Sequence, residues 1–251
     1  MVINAPDGFD CRYVEVIGST NDALKAEAEA GAPDGTVIAA GQQTAGRGRY
    51  GRTWDSPSGN LYVSVLLRDV GPVARAAQMS FVAAVALGNA IAALTPDDLA
   101  VRFKWPNDIL ANDAKVAGIL LESGGAPEAP WLVIGTGINL CHHPEGAGFR
   151  ATNLAALGAT VTGPELVHAY LEALSEWRQR WRAHGFAPVR AGWLAAAANR
   201  GGPVTLKLAD KPPREGRFVD LDEEGALLFQ PSGTGGMERI AAGEVHFPPR
   251  A

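Results

Sequence analysis

The stretch Gly46-Arg47-Gly48-Arg49-Tyr50-Gly51-Arg52-Thr53-Trp54 decides how the rest of the chain is read. Its glycines at 46, 48 and 51 have the spacing of the dinucleotide-binding fingerprint. That fingerprint works only where a strand ends and a helix begins, so that the helix N-terminus meets a pyrophosphate. Here Asp55-Ser56-Pro57-Ser58-Gly59 follow, and they forbid a helix. A doubly wound nucleotide fold is therefore set aside, and hydride transfer becomes a remote alternative. What remains unusual is Arg47, Arg49 and Arg52 within six residues. A single arginine is usually a solvated surface charge. Three among glycines differ, because guanidinium forks match carboxylate and phosphate oxygens while glycine lets backbone N–H groups approach closely. The loop reads as a mobile flap over an anionic ligand.

Upstream, Ser19 can cap a helix with Asp22 three residues on, which predicts a helix over 20–30 stopped by Gly31. Residues 36–40 are β-rich and lead into the loop, whose glycines leave it without an assigned helix or strand. Downstream, Leu61–Arg68 reads as a strand and the alanine-rich Met79–Leu94 as a buried helix. Residues 100–104 are extended, and 109–121 form a hairpin folded at Asn112-Asp113. Residues 131–134 make an apolar strand that leaves through the tight exit Gly135-Thr136-Gly137-Ile138-Asn139. Pro164 opens an amphipathic helix carrying Leu166, Val167, Tyr170, Leu171, Leu174, Trp177 and Trp181 until Gly185 stops it. Beyond Asn199-Arg200-Gly201-Gly202-Pro203, short extended runs at 204–208, 217–221, 226–230 and 238–247 are separated by turns containing Pro212, Pro213, Gly216, Gly225 and Gly233. A small barrel is expected there.

The length of 251 residues suits one large unit, residues 1–200, with a small one, 201–251. Apolar residues at 47% and charged residues at 20% exclude fibrous and disordered classes. A net charge of −5 argues against binding nucleic acid or an anionic membrane by bulk electrostatics, so any phosphate site is local. The two cysteines, Cys11 and Cys141, form no CxxC or Cys/His ligand pattern, so neither a disulfide scaffold nor a zinc finger is expected. Residues 1–11 lack the basic start and apolar run of an export signal, and 79–94 is too short to span a bilayer. A cytoplasmic protein is expected.

Two more segments carry chemistry. In Lys104-Trp105-Pro106-Asn107-Asp108, the amide and carboxylate after proline are either ordinary turn residues or holders of Mg²⁺ and triphosphate oxygens. Lys115 follows seven residues later. Strand alternation puts it on the face of Ala117, Ile119 and Leu121, where a buried ammonium needs an anionic partner. The glycines at 135 and 137 would let a flat ring lie against backbone, with Asn139 offering an amide to a base edge. The adjacent His142 and His143 would point apart if extended, so they do not suggest a metal site.

Taken together, 46–54, Ser56-Pro57, Gly59-Asn60-Leu61-Tyr62, 104–108, Lys115-Val116-Ala117-Gly118-Ile119 and 135–139 resemble the biotin protein ligases, in order and spacing. Ser19-Thr20-Asn21 upstream and the β-rich tail extend the likeness over nearly the whole chain. The resemblance implies an α+β fold, a mixed β-sheet with packed helices related to class II aminoacyl-tRNA synthetases, plus a C-terminal SH3-like β-barrel. It implies that biotin attacks the α-phosphate of ATP to give biotinyl-5′-AMP, which is then transferred to a lysine of a biotin carrier domain of acetyl-CoA carboxylase or a related carboxylase. It places Ser19, Thr20, Asn21, Gln43, Arg47, Gly48 and Gly118 around biotin, with Arg49 and Lys115 as the catalytic pair near its carboxylate. Arg52, Trp54, Asn107, Asp108, Lys115 and Asn139 are placed around ATP, with Asp108 on Mg²⁺. Only eighteen residues precede Ser19, too few for the winged helix-turn-helix some members carry, so specific DNA binding is not expected. A second copy of the chain is a further candidate partner. Tyr50 stands where some members have a basic residue. The competing readings are a lipoate or octanoate ligase, which would lack the arginine-glycine loop and the terminal β-unit, and a non-catalytic regulator, which would not need Lys115 and Asp108.

Overall fold

Ser19 starts the first helix as its sequence predicts: its backbone is extended and its hydroxyl accepts from Asp22 N at 3.3 Å, opening α1 (Thr20–Glu29). The structure, a computed structural model, describes residues 3–68, 70–71, 73–126, 130–146, 148–209, 211–233 and 235–248, with backbone only at 73–74. The start of the segment read for an export signal and the outer limits of the two expected units, residues 1 and 251, lie outside the described residues.

Around α1, seven strands form one mixed sheet. These are β1 (Asp10–Ile17), β2 (Thr36–Gln43), β3 (Leu61–Arg68), β4 (Val101–Lys104), β5 (Asp108–Ala111), β6 (Ala114–Gly124) and β7 (Trp131–Ile138), in the order β1-β2-β3-β7-β6-β5-β4. β1 and β2 run parallel, joined by α1, and every other neighbouring pair is antiparallel. α1 covers one face through Leu24 and Ala28, packed on Ile38, Leu66, Trp131 and Val133. The other face carries α3 (Met79–Leu94), α4 (Gly163–His184) and α5 (Ala187–Ala195), after the short α2 (Val73–Ala76). α4 opens on a capping box of Thr162 and Glu165 and ends at Gly185, whose φ of 70° suits glycine. Asn112 and Asp113, both at positive φ, close the β5–β6 hairpin.

The second sheet holds β8 (Pro203–Leu208), β9 (Lys211–Leu221), β10 (Leu227–Pro231), β11 (Glu238–Ile240) and β12 (Glu244–His246), in the order β11-β10-β9-β8-β12. It is open in its hydrogen bonding, with β11 and β12 as edges, so the small β-unit is present as a sheet. It shares a core with the larger unit: Trp193 packs against Phe81, Phe103 and Phe218, and Trp105 Nε1 donates to Gly225 O at 3.1 Å.

The supposed exit at 135–139 is, up to Ile138, the end of β7. Its glycines are there because Cβ atoms at 135 and 137 would strike Asn21 and Trp54. β9 runs through Pro212 and Pro213, which sit where the β8–β9 register shifts and where β10 pairs only with residues 216–221. The expected run 238–247 is two strands broken at Gly243.

Candidate active site

On the α1 face, the glycine-lined centre of the sheet leaves a cavity of about 190 Å³. Its floor includes Gly118 from β6 and Gly135 and Gly137 from β7. The Trp54 indole lies across the floor, for a Cβ at Gly137 would stand 2.5 Å from Trp54 Nε1 and one at Gly118 2.9 Å from its ring. That indole N–H is buried and has no acceptor among the described residues.

One end is polar and uncharged. The first turn of α1 delivers Ser19, Thr20 and Asn21, all buried, to the cavity wall. Gln43 Oε1 accepts from Thr20 N (2.8 Å) and Thr20 Oγ1 (3.0 Å), which turns its Nε2 towards Ser56 Oγ at 3.3 Å. Ser64, fully buried on β3, donates to Asn21 Oδ1 at 2.6 Å.

The other end is cationic. Arg49, Arg52, Lys104 and Lys115 line it, with Asp108 between the two lysines. Lys115 Nζ is 2.6 Å from Asp108 Oδ1 and Lys104 Nζ 3.3 Å from Asp108 Oδ2. Burial opposes ionisation of Asp108, but the two ammoniums outweigh it and hold the carboxyl below its ordinary range. One carboxylate thus balances one of two lysines. The anionic partner expected for Lys115 is Asp108. Its face differs, however, because a bulge opposite Ile109 and Leu110 breaks the alternation at Val116. Lys115 therefore joins Gly118 in the cavity, while Ala117 packs in the core.

The arginine loop, left unassigned from sequence, is a small hairpin. Arg47 bridges Thr53, Gly48 N donates to Arg52 O at 2.7 Å, and Trp54 N donates to Gly46 O at 3.0 Å. Its tip is a single 3-10 turn, Arg49–Gly51, with Tyr50 at φ 57°. The Tyr50 ring receives both neighbouring guanidiniums, 4.8 Å from Arg49 and 5.7 Å from Arg52. The loop is tied on two sides. Arg47 pairs with Asp22 of α1, holding that carboxyl down to about 2, while Arg52 pairs with Glu244 of β12 at 2.8 Å and Arg49 donates to Gly243 O at 3.1 Å. Among the described residues Arg49 has no carboxylate partner.

Thirteen of the sequence-predicted site residues therefore line one cavity: Ser19, Thr20, Asn21, Gln43, Arg47, Gly48, Arg49, Arg52, Trp54, Asn107, Asp108, Lys115 and Gly118. Asn139 is not brought there. It is buried beside Leu154, its Nδ2 donating to Thr152 O at 2.9 Å. Asp108 as a Mg²⁺ ligand does not fit either, since both its oxygens already meet ammoniums and Asn107 Nδ2 donates to Ile119 O at 2.7 Å. Among the described residues no group of three or more His, Cys, Asp or Glu side chains gathers to hold a metal. Sequence reasoning missed Ser64, Phe149, Glu244 and His246. Phe149 packs 5.3 Å from Lys115 Nζ, and His246 brings an imidazole whose pKa burial lowers, helped by Lys104 and Lys207. Only the alternation of 61–68 could have signalled one of these, since it places the polar Ser64 among apolar neighbours.

The sequence pattern of the Biotin/lipoate A/B protein ligase family matches residues 13–139. The biotin–[acetyl-CoA-carboxylase] ligase of Paracoccus denitrificans is 38% identical over 217 residues, covering 84% of this chain and 89% of that one. The bifunctional ligase/repressor BirA of Escherichia coli is 34% identical over 240 residues, 92% of this chain and 73% of the relative. Among solved structures, the biotin protein ligase of Aquifex aeolicus in complex with biotin and ATP superposes with a TM-score of 0.79 at 29% identity, covering 94% of this chain and 97% of that one. No helix among the described residues is long and apolar enough to cross a membrane. With the family pattern, the relatives and the sheet that presents the cavity in agreement, the chain belongs to the biotin/lipoate A/B protein ligase family.

Proposed function

We propose that the protein is a biotin protein ligase that joins biotin and ATP into biotinyl-5′-AMP and transfers the biotinyl group to one lysine of a biotin carrier domain of a carboxylase. The observation that carries this reading is the polarity of the cavity: an uncharged hydrogen-bonding end at Ser19, Thr20, Asn21 and Gln43, and a cationic end at Arg49, Arg52, Lys104 and Lys115. A cyclic urea suits the first, and a carboxylate meeting a triphosphate suits the second. The relatives' names and the biotin and ATP complex of the Aquifex protein support it.

In the first step a biotin carboxylate oxygen bonds to the α-phosphorus of ATP and the bond to the bridging oxygen breaks, releasing pyrophosphate. Both reactants are anions, so cations must offset their repulsion and meet the charge that grows on the leaving group. In this reading Lys115 and Arg49 do so as the catalytic pair, and Arg52 and Asn107 hold nucleotide oxygens. The unpaired Trp54 N–H offers a donor to the nucleotide. Magnesium enters with ATP as part of the substrate. In the second step the neutral amine of the acceptor lysine attacks the acyl carbon, AMP leaves, and the amine loses a proton. The SH3-like reading of the C-terminal sheet, and the division into units 1–200 and 201–251, belong to the same proposal.

ATP–pyrophosphate exchange tests it. Exchange should depend on biotin and be at least about tenfold weaker with lipoate or octanoate, since a site built for hydrogen-bonding groups rejects ligands lacking them. Equal exchange with lipoate would overturn it in favour of a lipoate ligase.

A further inference from the structure

Behind the uncharged end of the cavity, and outside its lining, stands Glu122 of β6. From the sheet it touches both the helix and the arginine loop. One oxygen, Oε2, accepts from Asn21 Nδ2 at 2.8 Å. The other, Oε1, accepts from Lys25 Nζ at 2.7 Å and lies 3.6 Å from Arg47 Nη2. Asp22 completes the group, 3.1 Å from Lys25 and paired with Arg47. Two carboxylates and two cations balance, so Arg47 brings no uncompensated charge to the cavity.

We propose that Glu122 is a positioning residue for the ligand's uncharged head group, acting through Asn21. An ionised carboxylate only accepts hydrogen bonds, so it holds Asn21 with Nδ2 towards itself and Oδ1 towards Ser64 and Gly135. Burial raises the Glu122 carboxyl, but the hydrogen bonds from Lys25 and Asn21 and the nearby cations outweigh it, which keeps it ionised at neutral pH. Gly135 leaves room for this arrangement, for a Cβ there would stand 2.1 Å from Asn21 Oδ1. The amide of Asn21 is thereby fixed at both ends before any ligand arrives. Its remaining N–H is set as a donor to a ligand carbonyl. A neutral Gln at 122 presents either an oxygen or an amine, so the orientation of Asn21 becomes degenerate and one anchor of Arg47 weakens.

The proposal rests on the biotin reading, and its test separates the two. Biotin KM, ATP KM and kcat are measured in pyrophosphate exchange for wild type, Glu122→Gln, Asn21→Ala and the double variant. Biotin binding to each is titrated by calorimetry without ATP, and thermal unfolding is recorded. Glu122→Gln should raise biotin KM and Kd about tenfold or more, the effect of weakening one hydrogen bond to a charged group, while ATP KM and kcat stay within about threefold. In the Asn21→Ala background the same change should add less than about threefold, because its route has already been removed. Biotin-independent exchange by wild type would sink the biotin reading itself. Biotin-dependent exchange with an unchanged biotin KM in Glu122→Gln, or full additivity with Asn21→Ala, would overturn the role of Glu122 alone. If Glu122→Gln does not fold, Glu122→Asp, which keeps the charge but shortens the reach to Asn21, is read in the same way.

Discussion

Lys115→Ala separates a catalytic loss from a structural one, because Asp108 has a second partner. Lys115 Nζ sits 2.6 Å from Asp108 Oδ1, but Lys104 Nζ remains at 3.3 Å on the other oxygen, so the variant leaves the buried carboxylate paired one to one. The fold should lose about 1 kcal/mol, one hydrogen bond's worth, which for a chain of this size lowers Tm by about 2–4 °C. Chemistry should suffer far more. Removing a cation that meets developing charge raises the barrier as loss of one preorganised donor does, a fall of roughly 10²-fold or more in the rate of biotinyl-AMP formation. Asp108→Asn is the informative contrast: it leaves two ammoniums facing each other without a counter-charge and should cost about 3 kcal/mol of stability. Pyrophosphate exchange at saturating biotin and ATP, with thermal unfolding of the same samples, reads both effects. A folded Lys115→Ala protein with exchange within threefold of wild type would show that Lys115 does not meet the developing charge.

The cavity floor, the flap and the acid range give further expected outcomes. Gly137→Ala places a Cβ 2.5 Å from Trp54 Nε1, so the indole must leave the floor, and nucleotide KM should rise about tenfold; an unchanged KM would show that Trp54 does not shape that subsite. The loop 46–51 is held by Arg47 and Arg52 but carries Arg49 without a carboxylate, so ligands should slow its cleavage by a protease, and Arg49→Gly should release biotinyl-AMP faster and label bystander lysines. Equal cleavage with and without ligands, together with no added labelling, would contradict this. The carboxyls of Asp22, Asp34, Asp108 and Glu122 all ionise at lower pH folded than unfolded, so their stabilisation is complete above about pH 5 and is lost as pH falls towards the folded values, about 2 for Asp22. The urea midpoint should fall steadily between pH 5 and about 2.5, and a flat midpoint would count against these pairings.

Local signals in the sequence carried most of the fold. The Ser19 cap, the strand Leu61–Arg68, the apolar run Met79–Leu94, the Asn112-Asp113 turn and the helix from Pro164 to its Gly185 stop each rest on neighbours in the chain, and each lies where those neighbours put it. The missed elements depend on distant partners. β1 is an edge strand with no fully buried residue, held by its pairing with β2, and α5 is short and alanine-rich, held by Trp193 against Phe81, Phe103 and Phe218. The site followed the same division. The motifs 46–54, 104–108 and 115–118 converge as a resemblance to a family implied, whereas Ser64, Glu122 and Glu244 reach it across 43 to 192 residues of chain. Glu122 was accessible in principle: two-residue alternation from Gly118 and Leu120 puts it on the same face of β6.

Ligase activity is read from the mass of a purified biotin carrier domain after incubation with this protein, biotin and ATP. The carrier should gain one biotinyl group on a single lysine, dependent on ATP, strongly reduced with Lys115→Ala and not reproduced by lipoate. A carrier that stays unmodified, or that gains lipoyl and biotinyl groups equally well, would contradict it.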